Sequence, residues 1–397
     1  MINRNLIILF CAQLIFVSGS VVLVTLGGIV GNDLAPSRSL ATLPLSILLV
    51  GTALTTVPAA LLMQRIGRRG GFVLAALIAC SGALMAAYAL EEKSFVWFCA
   101  AATTIGMTLA FSQQFRFAAS ESVPMERVSY AVSFILLGSI GGAFLGPEIA
   151  SRSSSFTPET PFKAAMFINA GLYLFAGALL LCMSKVTAAE DDAANAQAPT
   201  RPMRAIVTEP LFIVAVFAAV VGYGVMTFIM TATPLSMHVV DGHGIEETAE
   251  VIRAHVIAMY LPSLVSGPLI SRFGSQRMMT AGVLAMLATL IVGFSGQAVM
   301  HYWWALVLLG FGWNFLFVGG TTLLVQTCRP SERFKVQAVN EFSVFGISAV
   351  GSLLAGTIMV QLGWSAVLVG ALPLLIVMLL VLIWARGAPA TLSPDAG

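Results

Sequence analysis

The sequence predicts an all-α membrane protein with twelve transmembrane helices in two pseudo-symmetric six-helix bundles. Of its 397 residues, 58% are hydrophobic and only 10% are charged, and the mean hydropathy is +0.93. A soluble chain carries about 25% charged residues. Spanning-length apolar stretches recur along the chain, and a loop motif appears twice. These features exclude a soluble enzyme, a nucleic-acid-binding protein and a disordered scaffold.

Apolar stretches long enough to span a bilayer divide into two sets of six. A spanning helix needs about 20 apolar residues. In the first half they fall at about 6–30, 40–63, 71–90, 95–119, 128–149 and 162–184. In the second half they fall at about 210–234, 250–271, 276–297, 302–327, 336–359 and 364–385. The remaining connections are too short for a folded extramembrane domain.

The longest and most polar connection separates the two sets. It contains Glu190, Asp191, Asp192, Pro199 and Pro202, a composition typical of a flexible linker. We therefore predict an N-terminal bundle over residues 1–184, a cytoplasmic linker over 185–209, and a C-terminal bundle over 210–397 with a short cytoplasmic tail.

The distribution of positive charge predicts the orientation. With both termini in the cytoplasm, 15 of the 20 Lys and Arg residues fall on the cytoplasmic side. The positive-inside rule, which counts Lys and Arg in short loops, supports this arrangement. Short loops favour the inner membrane of a bacterium.

Loop sequences repeat at a nearly constant offset. Gln64–Arg69 follows the second span and Ser271–Arg277 follows the eighth, with Arg65 and Arg272 separated by 207 residues. Pro124–Arg127 and Pro330–Arg333 follow the fourth and tenth spans at an offset of 206. Several matches at nearly one offset indicate duplicated six-helix units, and transporters commonly bind substrate between such repeats.

The first copy of this loop resembles the signature G-x-x-x-D-R-x-G-R-R of the major facilitator superfamily. It reads Ala60-Leu61-Leu62-Met63-Gln64-Arg65-Ile66-Gly67-Arg68-Arg69. The resemblance implies two bundles that rock about a midplane site lined by spans one, four, seven and ten. The family's usual glycine is replaced by Ala60 and its usual acid by Gln64, with Ser271 equivalent in the second copy. The acid that helps to lock the family's cytoplasmic gate is therefore missing here.

Glu341, inside the cytoplasmic end of span eleven, is a candidate replacement for that acid. A charge at this depth is costly without a partner, so one hypothesis pairs it with Arg65, Arg68 or Arg69. The alternative is a carboxylate solvated at the interface. Further gating candidates in or near the loops are Arg116, Glu126, Arg127, Arg272, Glu332 and Arg333. For Arg116, snorkelling, pairing with Glu121 and a substrate contact remain open.

Polar and aromatic residues in the spans are the substrate-binding candidates, because intramembrane polar groups usually face the bundle interior. Trp313 and Asn314 lead, since nearby glycines let a ligand approach the backbone. Such a site suits a flat, partly aromatic, weakly polar solute. The full set is Gln13, Phe111, Gln113, Gln114, Tyr223, Phe228, Trp313, Asn314 and Phe317.

Proton coupling needs a titratable group near the membrane, for which the candidates are Glu148, His255 and Glu341. We predict no metal site and no cofactor, because the five cysteines lack ligand spacing. His238 and His243 are interpreted as polar loop residues. The chain also lacks P-loop and H-E-x-x-H motifs, so neither an enzyme nor an ATP-driven pump is predicted.

Small residues of span five support two interpretations. Gly142, Gly146 and Ala150 lie on one helix edge, which serves either ordinary helix packing or sliding between the halves. Gly142–Pro147 also resembles the G-x-x-x-G-P core of a motif in the superfamily's drug/proton antiporters.

These observations predict a proton-coupled secondary transporter of a small organic solute, working by alternating access and exporting drugs or metabolites. An alternative is import of a planar aromatic nutrient such as a flavin-like vitamin, for example riboflavin. A non-transporting membrane protein is the remote alternative. The predicted partners are the solute, protons and the lipid bilayer, without nucleic acid, and the protein is predicted to be a monomer.

Overall fold

The computed structural model describes residues 3–36, 40, 43–153, 162–184 and 201–385, and their regular structure is entirely helical. A 3₁₀ turn, Met125–Arg127, and a π-helical turn, Leu235–Val240, accompany the α-helices. In chain order the α-helices are α1 Arg4–Leu34, α2 Leu43–Glu91, α3 Phe95–Ser112, α4 Phe115–Ser120, α5 Val128–Ser153, α6 Lys163–Leu181, α7 Met203–Val207, α8 Pro210–Pro234, α9 Ile245–Tyr260, α10 Ser263–Phe273, α11 Ser275–Ser295, α12 Val299–Thr327 and α13 Arg333–Trp384.

Ten helical stretches among the described residues are long and apolar enough to cross a membrane. Two of them, Ser46–Glu91 and Arg333–Trp384, have 46 and 52 residues, so each is long enough to cross twice. Gly67 and Gly363 interrupt these two helices, at the places where the sequence predicts loops. Counting their two halves separately gives the twelve predicted crossings, and the predicted all-α membrane class is confirmed.

The repeated loop has the same backbone turn in both copies. Gly67 has φ 77° and ψ 165°, and Gly274, which is 207 positions later between α10 and α11, has φ 85° and ψ 154°. Side chains other than glycine are strained in this region by roughly 1–3 kcal/mol. The two glycines therefore let the chain leave one helix and enter the next without strain.

The described residues divide into two compact units. Each unit includes one short segment from the half of the chain that otherwise belongs to the other unit. The first unit lies within Met1–Ser122, Phe134–Thr187 and Gln337–Phe342, and the second within Val123–Ser133, Ala188–Val336 and Ser343–Gly397. Thus the first turns of α5 pack in the second unit, and part of α13 packs in the first. The boundaries of the predicted bundles and linker stay a prediction, because residues 185–200 lie outside the described residues.

The small-residue edge of α5 packs closely against α1 within the first unit. A Cβ atom at Gly142 would lie 2.6 Å from the carbonyl oxygen of Leu14 and 2.8 Å from the backbone nitrogen of Ser18. Nearby, the side-chain amide of Gln13 donates to the hydroxyl of Ser139 at 2.9 Å. Of the two interpretations of this edge, helix packing is the one that the contacts support.

We expect Gly142→Ala to destabilise the protein by about 1–3 kcal/mol, because the new methyl group must push α1 and α5 apart. Thermal unfolding of the purified protein in detergent measures the change. Gly171→Ala in α6 is the matched control, since a Cβ atom there meets nothing within 4 Å. An equal fall in melting temperature for both variants would contradict the prediction.

Candidate functional site

Arg68 is the centre of a buried polar cluster in the first unit. Its guanidinium binds Glu121 through two hydrogen bonds, from Nη2 to Oε1 at 2.6 Å and from Nε to Oε2 at 3.1 Å. It also donates to the side-chain oxygens of Gln114 at 2.9 Å and Gln337 at 2.5 Å. Only 5% of Arg68 is exposed. We call Arg68, Gln114, Glu121 and Gln337 the Arg68 cluster.

A second buried ion pair joins Arg116 and Glu341 in the same unit. The Arg116 guanidinium donates to Oε1 of Glu341 and, at 2.9 Å, to the side-chain oxygen of Gln113. The side-chain amide of Asn340 donates to the same Glu341 oxygen at 2.8 Å. Arg116 is 3% exposed and Glu341 is fully buried. Attraction between opposite charges is strong at such a site, where little water screens it.

These contacts correct the sequence-based hypotheses about Glu341 and Arg116. The observed ion-pair partner of Glu341 is Arg116 rather than Arg65, Arg68 or Arg69, and the ion-pair partner of Glu121 is Arg68. Arg116 does not snorkel to the membrane surface, because it is buried. The interpretation of Glu341 as a solvated interfacial carboxylate is also wrong, since the residue has no exposed surface.

A helix break positions the amides that hold both arginines. Span four divides into α3 and α4 at Gln113 and Gln114, so these neighbouring side chains can serve different arginines. Gln113 accepts from Arg116 and Gln114 from Arg68. Both residues were predicted to bind substrate, and their side-chain oxygens serve the ion-pair networks in this structure.

Aromatic side chains gather in the second unit between α8, α9, α12 and α13. Trp313 stacks on Phe317 with ring centroids 4.8 Å apart and planes inclined by 19°. Tyr223 meets their edges at 5.2 and 5.1 Å. Tyr260 contacts Trp313 at 5.5 Å, and Phe345 contacts Tyr223 at 5.4 Å. These five residues form the aromatic cluster.

The aromatic cluster contains a polar group that the fold does not use. The indole nitrogen of Trp313 is buried and has no hydrogen-bond partner among the described residues. Burying such a donor without a partner is costly, and native structures seldom leave one unsatisfied. The cluster therefore combines flat apolar surfaces with a hydrogen-bond donor.

Asn314 has a structural role beside this cluster. Its side-chain amide donates to the carbonyl of Met259 at 2.8 Å and to the hydroxyl of Ser263 at 2.7 Å. These two residues flank the break between α9 and α10 at Leu261 and Pro262. Asn314 thus satisfies polar groups at the break, as intramembrane backbone groups require.

The remaining substrate candidates lie apart from the aromatic cluster or contribute packing. Gln13 bonds to Ser139 in the first unit, and Phe111 is buried there with 3% exposure. In the second unit the Phe228 ring lies 3.3 Å from the position that a Cβ atom on Gly370 would take. Whether these residues contact substrate stays a prediction.

Two of the proton-coupling candidates occupy contrasting environments. Glu148 forms an ion pair with Arg152 one helical turn away, and its side chain is 52% exposed. His255 is fully buried, and its Nδ1 bonds to the carbonyl of Leu306 at 2.7 Å. A carbonyl only accepts, so Nδ1 carries a proton and Nε2 is the atom that could gain one.

The predicted gating residues of the repeated loops lie mainly on the surface. Arg65, Arg69, Glu126, Arg127 and Arg272 are exposed, and the partly buried Arg333 donates to the carbonyl of Pro330 at 2.9 Å. Glu332 differs from its repeat counterpart Glu126 because it is buried. The two copies therefore differ in the burial of this glutamate.

Arg201 binds Glu332 at the end of the predicted linker. Its Nε donates to Oε1 at 2.8 Å and its Nη2 to Oε2 at 2.7 Å, and the guanidinium also pairs with Glu209. Burial alone would raise the pKa of the Glu332 carboxyl, but hydrogen bonds from Arg201 and from the backbone of Arg329 outweigh it. The pKa of Glu332 therefore lies below its ordinary value.

Because this pKa is lowered by folding, the Arg201–Glu332 pair stabilises the protein above the ordinary pKa of a glutamate. The contribution of the pair to the free energy of unfolding is lost as the pH drops through the lowered pKa of Glu332. We expect Glu332→Gln to cost about 1–3 kcal/mol at pH 7 and progressively less as the pH falls below the ordinary pKa of a glutamate. Thermal unfolding of both proteins across this range measures the difference. A constant difference at every pH would assign the effect to packing instead of charge.

Gln337 and Arg201 were not singled out from the sequence as site residues. Gln337 lies one helical turn before Glu341 on α13, and residues four apart share a helix face, so this spacing could have identified it. Arg201 lies in a predicted linker, where no local pattern indicates its long-range partner. Within the described residues, no group of three or more His, Cys, Asp or Glu side chains could hold a metal ion.

Comparisons with known proteins identify the family. The Major Facilitator Superfamily profile matches residues 8–252 and 251–396. The riboflavin transporter RfnT of Brucella anthropi is 35% identical to this chain, covering 92% of it and 91% of the relative. An uncharacterized MFS-type transporter of Bacillus subtilis, YdeG, is 30% identical and covers 97% and 92%.

Solved structures of transporters share the fold. The crystal structure of FucP, an MFS transporter in the outward conformation, has a TM-score of 0.75 at 15% identity and covers 96% of this chain and 99% of its own. The proton:xylose symporter XylE has a TM-score of 0.76 at 13% identity, covering 97% and 95%. The profile matches nearly the whole chain, and the predicted resemblance is confirmed. This multi-pass membrane protein belongs to the Major Facilitator Superfamily and is a transporter of small solutes rather than an enzyme.

Proposed function

We propose that this protein carries riboflavin, or a closely related flavin, into a bacterial cell across the inner membrane. The observation that carries the proposal is its 35% identity to the riboflavin transporter RfnT over 92% of this chain. Both termini are assigned to the cytoplasm by the distribution of Lys and Arg. Transport proceeds by alternating access of the two bundles about a central site.

The chemistry of the aromatic cluster fits this solute. Riboflavin has a flat, three-ring heteroaromatic system with ring nitrogens and carbonyls that accept hydrogen bonds. Trp313, Phe317 and Tyr223 supply ring surfaces that can stack or meet an edge. The unpartnered indole N–H of Trp313 supplies a donor for a ring acceptor. A mostly apolar site with a few placed polar groups is typical for a small aromatic ligand.

Import of a nutrient is favoured over the export of drugs, although the sequence alone predicts export first. That prediction relied on the motif Gly142–Pro147, and the contacts of Gly142 account for its glycine through close packing on α1. The relative with an assigned solute carries a vitamin. A nutrient importer therefore replaces drug efflux as the main proposal.

We assign proton coupling to Glu341. It is a buried carboxyl group whose Oε1 accepts from Arg116 and Asn340, whereas its Oε2 has no hydrogen-bond partner among the described residues. Oε2 can therefore take a proton without breaking an existing bond. Protonation would remove the charge that attracts Arg116, which links proton binding to the strength of the pair.

Uptake of labelled riboflavin into proteoliposomes tests the function. We expect saturable uptake that a pH gradient, acidic outside, accelerates severalfold, and that excess unlabelled riboflavin inhibits. Liposomes without protein control for leakage, and a non-aromatic vitamin of similar size controls for selectivity. Uptake of riboflavin no faster than in empty liposomes would refute the proposal, and uptake unaffected by the gradient would refute only the coupling.

A further inference from the structure

The break in span eight lies beside the aromatic cluster. α9 ends at Tyr260 and α10 begins at Ser263. Between them lies Pro262, which has no backbone N–H to donate to the preceding turn. The regular bonding of the helix is therefore interrupted at this point. Inside a membrane, polar backbone groups at such a break need partners from a neighbouring helix.

The neighbouring helix α12 supports the break at two positions. The side-chain NH2 group of Asn314 donates to the carbonyl of Met259 at 2.8 Å and to the hydroxyl of Ser263 at 2.7 Å, so one side chain bridges the break. One turn earlier on α12, a Cβ atom at Gly310 would lie 2.8 Å from the backbone nitrogen of Met259. A side chain there would collide, so the backbone of α12 packs directly against the last turn of α9.

Tyr260 is the aromatic residue that this support places. It follows Met259 at the end of α9. Its ring meets the ring of Trp313 edge-on, with centroids 5.5 Å apart and planes inclined by 83°. Trp313 in turn precedes Asn314 on α12. The hydrogen-bonded pair and the ring pair are therefore formed by adjacent residues on both helices, so a shift of the first pair moves the second.

We propose that Asn314 is a positioning residue for the substrate: it holds the break in span eight and thereby keeps the Tyr260 ring where a flat solute contacts it. This inference rests on the proposed flavin transport. Tyr260 is partly exposed, so its ring offers surface to a ligand, and aromatic pairs prefer defined edge or offset-stacked geometries. A ring that is already held in place loses less entropy when the solute binds, which raises the affinity.

Initial rates of riboflavin uptake into proteoliposomes test the inference. Asn314→Leu removes both bonds at the break and should raise the KM about 3–10-fold with little change in the maximal rate. Tyr260→Leu removes the ring and should raise the KM by a similar factor. Because Asn314 acts through Tyr260, the double variant should have the KM of Tyr260→Leu alone. A KM equal to the product of the two increases would show that Asn314 acts independently of Tyr260, which would overturn the proposal.

Gln276→Leu is the matched control for the loss of an amide donor. The side-chain NH2 group of Gln276 donates to the carbonyl of Ala385 at 3.2 Å in the same unit, and neither residue belongs to the aromatic cluster. Its KM should equal that of the original protein, and the same KM for Asn314→Leu would also overturn the proposal. Ser263→Ala removes only one of the two Asn314 bonds, so its KM should lie between those of the original protein and Asn314→Leu. This milder variant tests the support of the break if Asn314→Leu fails to fold.

Near-ultraviolet circular dichroism of the purified protein tests the positioning without any solute. Coupling between the Trp313 and Tyr260 rings contributes to this spectrum, so Asn314→Leu and Tyr260→Leu should change the same band, whereas Gln276→Leu should leave it unchanged. An unchanged band in Asn314→Leu would contradict the positioning role, whatever solute is carried. Absence of riboflavin uptake by the original protein, together with the expected spectral changes, would refute the transport proposal alone.

Discussion

Glu341→Gln is expected to abolish riboflavin uptake and to destabilise the protein by roughly 3–5 kcal/mol. The substitution keeps the shape of the side chain but removes the charge that neutralises Arg116. Arg116 is 3% exposed, so water cannot replace the lost carboxylate. Uptake into proteoliposomes and thermal unfolding of the purified protein measure the two effects.

Glu148→Gln is the matched control for this change. It makes the same chemical substitution at a carboxyl group that is 52% exposed and paired with Arg152 on the surface. Exposed ion pairs contribute about 0–1 kcal/mol, so stability and uptake should stay close to those of the original protein. Loss of proton-gradient dependence in this variant alone would move the coupling role from Glu341 to Glu148.

The double variant Arg116→Gln/Glu341→Gln separates stability from coupling. Removing both charges leaves no uncompensated ion, so its melting temperature should lie above that of either single variant. Acceleration of uptake by a proton gradient should nevertheless be lost, since no titratable group remains at the pair. Additive destabilisation by the two substitutions would show that the charges do not interact.

Most of the fold was predictable because it follows from local patterns. Apolar length determines each crossing, and the repeated sequences around Gly67 and Gly274 predict a turn in the same place of each half. The structure gives both glycines the same left-handed backbone conformation. The number and order of the twelve crossings could therefore be predicted without knowing which distant residues are in contact.

The partner of Glu341 was not predictable in the same way. The sequence indicates that a buried acid needs a cation, which is correct, but several arginines lie near the same end of the molecule. The one that it meets in this structure is Arg116, which lies just after the helix break at Gln113. Tertiary packing decides such a choice, and the local sequence does not encode it.

The candidate substrate site was partly predictable for a related reason. Aromatic residues on spans seven and ten indicated a flat apolar surface, and the structure brings Tyr223, Trp313 and Phe317 into mutual contact. Asn314 appeared equally suitable from sequence because it is polar and near the middle of its span. Its side-chain NH2 group satisfies a helix break through Met259 and Ser263, a need that arises only after the helices pack. Whether Asn314 also contacts substrate stays a prediction.

Trp313→Phe is expected to raise the KM for riboflavin by about 3–10-fold with little change in the maximal rate. Phenylalanine keeps a ring that can stack on Phe317, but it removes the indole N–H that we assign to a ring acceptor of the solute. One hydrogen bond contributes about 0.5–1.5 kcal/mol, which corresponds to that range in affinity. Initial rates of uptake at increasing riboflavin concentrations measure both constants.

Trp364→Phe provides the control because it makes the same substitution elsewhere in the second unit. Trp364 is 4% exposed, contacts the ring of Tyr302, and also has an indole nitrogen without a partner among the described residues. It lies outside the aromatic cluster, so its replacement should leave the KM unchanged while testing the general effect of losing a buried indole. Equal KM values for the original protein, Trp313→Phe and Trp364→Phe would show that Trp313 does not contact the substrate. A rise in KM for both variants would show that the effect comes from altered packing.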